Sequence, residues 1–165
     1  MHYACISLYI MNIRAHHLLC LLGFQGLGYS PEFIKKMMQV KHRLKTQTNL
    51  EIKILNSCDE ICAVCLHKEK GRCQKGEYSC KRVKEADEKV LSALGLKSGD
   101  VLSAGKLLNL IKEKICSFHV LVKICGMCGW RETCTYYIKL RKKWRKNKIN
   151  HRVHRANKCQ SDVPT

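Results

Sequence analysis

Apolar positions along the chain follow two periods. Ala15 to Phe24 is apolar at helical spacing, and the glycines of GFQGLG (23–28) break it. YSPEF (29–33) then reads as a helix start, with Ser30 as N-cap, Pro31 at the first helical position and Glu32 in the first turn. Phe33, Ile34, Met37, Met38 and Leu44 continue that helix on one face. In LEIKIL (50–55), Leu50, Ile52 and Ile54 alternate with Glu51 and Lys53, which predicts a short strand with Asn12–Arg14 as its nearest available partner.

Downstream, Val83, Ala86, Val90, Leu91 and Leu94 mark a helix ended by Gly95, and KSGD (97–100) is a turn. Ser103 caps a further helix whose buried face is Leu107, Leu108, Ile111 and Ile115. FHVLVKI (118–124) fits helix or strand equally. Trp130, Tyr137, Leu140 and Trp144 are spaced to share one helix face, and 58–80 reads as irregular. The expected architecture is mainly α, with a small α+β element at most: one compact domain over 11–145 carrying two cysteine knuckles. It is preceded by an extension (1–10) and followed by a disordered basic tail (146–165).

Composition changes this picture at cysteine. The chain has 165 residues, enough for a core without disulfide staples, yet 12 are cysteine. The apolar stretch Tyr3–Met11 lacks a basic flank and a small-residue cleavage site, so a secretory leader is not indicated. No run is long enough to cross a membrane. A reducing cytoplasm is the expected compartment, where clustered thiols hold metal more often than disulfides.

Two clusters resemble each other. Cys62-x-x-Cys65 is followed by Cys73, and Cys125-x-x-Cys128 by Cys134. A two-residue spacer lets the backbone turn so that both sulfurs face one metal, and the glycines of CGMCG ease that turn. The 59 residues between the pairs exceed zinc-ribbon spacing, but closing a longer loop adds only about 0.6 kcal/mol per doubling of length, so a shared site near the first helix is expected. In HHLLC, His16 and Cys20 are four apart and His17 and Cys20 three apart, so either pair can share a helix face. These three rank second as ligands, since a buried cysteine with histidines at its rim needs no metal. Cys5, Cys80, Cys116 and Cys159 are read as ordinary thiols.

CDEICAVC (58–65) also has the C-x-x-x-C-x-x-C spacing of radical enzymes that use S-adenosylmethionine. Those need most of a barrel, and this chain lacks alternating strands and helices. Val64 also stands where that motif usually has an aromatic, so Cys58 is read as a bystander.

RAHHLLCLLGFQGLGYSPEF (14–33), DEIC (59–62) with Cys65 and Cys73, LGLKSGD (94–100), and CGMCGW with Cys134 together resemble a bacterial and archaeal family of uncharacterised proteins, domain of unknown function 1284. The resemblance runs from about Met11 to Cys134. It implies an iron–sulfur cluster, and it strengthens His16, His17 and Cys20, which lie inside the family's motif.

The expected function is a metal-binding protein carrying a 4Fe–4S cluster in a redox, sensing or structural role, with a redox partner protein. A structural zinc module is the alternative. The formal charge of +18 is concentrated late, with no acidic residue between Glu132 and Asp162. KLRKKWRKNK (139–148) can neutralise phosphates and Trp144 can stack on a base, but a solvated helix end with Trp144 docked on the core accounts for the same residues, so nucleic acid is the less favoured partner. Phosphate-loop, G-x-S-x-G and paired-carboxylate signatures are absent, and no catalytic residue is assigned.

Overall fold

Alternation in EIKIL places Ile52 and Ile54 on one face of a strand, and both are fully buried. The computed structural model describes residues 9–160, with side chains described as far as residue 149. That strand, β2 (Glu51–Leu55), is the centre of a three-stranded sheet. β1 (Met11–Arg14) pairs with it in parallel, with Ile13 opposite Ile54. A parallel pair needs a crossover, and two helices supply it: α1 (Ala15–Gly23) and α2 (Pro31–Thr46). The third strand, β5 (Val101–Ser103), is antiparallel to β2 and was not foreseen; it sets Leu102 opposite Ile52.

The remaining chain is helical: α3 (Ser79–Leu94), α4 (Ala104–Lys114), α5 (Phe118–Cys125) and α6 (Thr135–Gln160). The protein is therefore mainly α with a small sheet. Local chemistry sets several boundaries. The Ser30 hydroxyl accepts the Phe33 N–H at 3.1 Å, with Pro31 beside it, and Ser103 accepts the Lys106 N–H at 3.4 Å. Gly95 adopts φ 70°, a left-handed conformation that ends α3. FHVLVKI resolves as helix because Ser117 caps it through the Val120 N–H, and Leu121 is buried. Met11, Ile13, Leu18, Leu21, Ile52, Ile54, Leu107, Ile111 and Leu121 form the middle of one core.

Three expectations are corrected. Residues 58–80 are not wholly irregular: β3 (Lys68–Glu69) and β4 (Arg72–Cys73) form a hairpin around Lys70 and Gly71, both at positive φ. Trp130 is not on the face of Tyr137 and Leu140, because α6 begins only at Thr135. Helix α6 also continues to Gln160, into the segment expected to be unstructured; Lys and Arg favour helix, and no glycine or proline interrupts them. Trp144 is docked, with its indole N–H donating to His119 Nε2 at 3.0 Å and its ring 5.5 Å from Phe118. Among the described residues, no helix is long and apolar enough to cross a membrane. Of the extension, residues 1–8 lie outside the described part, and Tyr9 donates to Glu60 at 2.6 Å.

Candidate metal centre

Helix α1 starts without a capping side chain of its own and without an acidic residue in its first turn. Two distant carboxylates supply both. Asp59 Oδ2 accepts the Arg14 N–H at 2.8 Å, and Asp87 Oδ1 accepts the His16 N–H at 3.0 Å. The same carboxylates hold the two histidines: His16 Nδ1 lies 2.7 Å from Asp87 Oδ1, and His17 Nδ1 lies 2.7 Å from Asp59 Oδ2. Arg14 closes the network, donating from Nε at 2.9 Å and Nη2 at 2.6 Å to Asp87 Oδ2. Burial alone would raise both carboxyls, but their hydrogen bonds and cationic neighbours outweigh it and hold them below the usual range. His16 moves down, chiefly by burial and then by the neighbouring His17.

The first knuckle lies against this network. Cys62–Val64 forms a short 3-10 turn, in which the Cys65 N–H donates to the Cys62 carbonyl at 3.1 Å and the Cys62 N–H to Asp59 Oδ1 at 2.8 Å. The β3–β4 hairpin then returns Cys73 toward Cys65, so that the Cys73 charge acts on Cys65. Cys58 is near enough for its charge to be felt at Cys62 and Cys65. Burial and the Asp59 charge push the Cys62 thiol well up, the opposite of what an activated nucleophile needs. A ring nitrogen of His17, a carboxylate oxygen of Asp59 and the Cys62 sulfur all lie within 4.8 Å of one another.

The second knuckle repeats the first in its backbone. The Cys128 N–H donates to the Cys125 carbonyl at 3.0 Å and the Arg131 N–H to the Cys128 carbonyl at 3.4 Å, matching the bonds from Cys65 to Cys62 and from Lys68 to Cys65. Cys125 ends α5 and Cys134 precedes α6, and both pack against the core. Gly23 makes the close approach to α1 feasible: a methyl group there would run into the Cys134 sulfur. Cys20 completes the group. Burial first, then the charges of Cys128, Cys125 and Cys134, would raise its thiol well above normal. Cys125 is pushed up to about 12 by burial and by Cys128 and Cys134. Cys20 on α1, Cys125 at the end of α5, and Cys128 and Cys134 in the 126–134 loop thus lie within range of one another's charge.

Helix α1 comes close to both knuckles, with His17 against Asp59 and Cys62 and Gly23 against Cys134. Tyr29 stands between the two loops. Its ring meets His67 at 4.7 Å and Trp130 at 5.6 Å, and its hydroxyl accepts from the Trp130 indole N–H and the Lys75 ammonium, each at 3.1 Å.

A family model described as a protein of unknown function, DUF1284, matches residues 28–134. The chain belongs to that family. No curated protein and no solved structure matches it. The DUF1284 span contains both knuckles, while HHLLC lies just before it, so the contribution of α1 to this member's site rests on the geometry.

Sequence reasoning missed Asp59 and Asp87. Asp59 had a local signal: it sits three residues before Cys62, whose N–H it caps. Asp87 had none, since a single acid on α3 resembles the surface acids around it. Only its full burial distinguishes it.

Proposed function

We propose that this DUF1284 member is a redox protein whose 4Fe–4S cluster is held by Cys20, Cys125, Cys128 and Cys134. The observation that supports the reading is the close approach of α1 to the second knuckle, where Gly23 faces the Cys134 sulfur and Cys20 lies within range of the charges of Cys125, Cys128 and Cys134. The donor set fits: it is all sulfur and half-buried, and Cys20, Cys125 and Cys134 pack against the core. Four thiolates leave excess negative charge on such a centre. Lys41 stands within range of Cys134 to offset it, anchored by its ammonium donating to the Phe24 carbonyl at 2.6 Å. When bound, the cluster supplies a one-electron couple. The chain's own contribution is to bring the four sulfurs together and to hold them half-buried, near the surface. Met127, between Cys125 and Cys128 in the chain, is 82% exposed and offers an adaptable apolar contact for a partner protein.

Anaerobic purification followed by visible absorption and iron and sulfide analysis tests the reading. A brown protein with stoichiometric iron and sulfide is expected. A colourless protein with one zinc per four-thiol group overturns the cluster and leaves a structural zinc module.

A further inference from the structure

We propose that His17, Asp59 and Cys62 form a second metal site, distinct from the four-thiol centre, that takes a single divalent transition ion such as zinc or ferrous iron. The three ligand atoms already lie within 4.8 Å of one another, with His17 Nδ1 and Asp59 Oδ2 at 2.7 Å. Metal–nitrogen and metal–oxygen bonds of about 2.0–2.1 Å set tetrahedral ligand atoms roughly 3.3 Å apart. The ion would therefore enter where a proton is now shared, and the nitrogen and oxygen would part by roughly half an ångström.

Proton and charge balance are simple. The ion bonds to Cys62 Sγ as thiolate, and the thiol proton leaves to solvent. The neutral His17 ring binds through Nδ1, with its one proton on Nε2. A thiolate and a carboxylate then match a divalent charge. Arg14, whose charge reaches Cys62, is already neutralised by Asp87 at 2.6 Å and so does not oppose the cation. The site is also held in place. Asp59 is fixed by the Arg14 and Cys62 N–H groups, at 2.8 Å each, and the His17 side chain keeps 12% exposure, a route for the ion and for a water or small anionic ligand in the fourth position. A sulfur–nitrogen–oxygen set with one open position is the donor arrangement of catalytic rather than structural zinc sites.

Cobalt(II) titration of the reduced full-length protein tests this, because thiolate-to-cobalt charge transfer reports each sulfur ligand. The Cys125→Ala/Cys128→Ala variant lacks the four-thiol centre and is expected to bind one cobalt with a single-thiolate band. Cys128→Ser alone serves if the double variant does not fold. On that background Cys62→Ala is expected to abolish the band, and His17→Gln to weaken binding at least about tenfold. Asp59→Asn is expected to act likewise in any sample whose circular dichroism shows α1 intact. No cobalt uptake on that background overturns the proposal. So does uptake unaffected by His17→Gln but lost in Cys65→Ala, which would make the first knuckle a thiolate-only site. Because iron and sulfide are not read here, failure of the cluster reading leaves this result unchanged.

Discussion

His16 Nδ1 lies 2.7 Å from Asp87 Oδ1, and that same oxygen accepts the His16 backbone N–H at 3.0 Å. One buried carboxylate on α3 thus fixes both the start of α1 and the orientation of its first histidine. Because the carboxylate accepts, Nδ1 carries the proton and Nε2 is left with its lone pair.

Asp87 is completely buried and ion-paired with Arg14, so removing it strands a guanidinium in the core. Asp87→Ala is expected to cost about 3–5 kcal/mol in denaturant unfolding of the metal-free protein. Arg14→Met combined with Asp87→Leu is expected to recover much of that loss, since a buried pair replaced by apolar groups leaves no stranded charge.

The depressed carboxyl of Asp87 gives a signed pH dependence. Its folded-state pKa lies below its unfolded value, so its contribution is fully present above about pH 4 and is lost as pH falls through the lower folded value. Urea unfolding below pH 4 is expected to show a steeper loss of stability in wild type than in Asp87→Asn. Parallel curves would remove the carboxylate from this role.

Gly23 faces the Cys134 sulfur with no room for a Cβ. Gly23→Ala is expected to destabilise the fold by about 1–3 kcal/mol through overpacking, despite the better helix propensity of alanine. It is also expected to lower metal content at the four-thiol centre. Metal analysis alongside denaturant unfolding separates the two effects. Unchanged metal content would show that α1 need not approach Cys134 so closely.

Much of the fold was legible because its signals are local. Ser30–Pro31, Ser103 and Gly95 act within a few residues, and the alternation of Ile52 and Ile54 is written in six letters. The β3–β4 hairpin was missed because Lys70–Gly71 turns within a stretch that its cysteines made look irregular. The site was half legible. C-x-x-C spacing identifies which cysteines are poised for metal, but partners separated by many residues are set by packing. Cys20 comes near the second knuckle because α1 lies against α6, and Asp59 meets His17 because the 58–65 loop covers the start of α1. Neither relation leaves a mark at fixed spacing.

If Cys20 holds the cluster together with Cys125, Cys128 and Cys134, the loss of its sulfur must empty the centre. The most direct test is iron and sulfide per chain after anaerobic reconstitution, compared between wild type, Cys20→Ser and Cys80→Ser; Cys80 is exposed and outside both knuckles. Cys20→Ser is expected to lose most of its iron, sulfide and visible absorbance, while Cys80→Ser matches wild type. Full cluster content in Cys20→Ser would contradict the four-thiol centre.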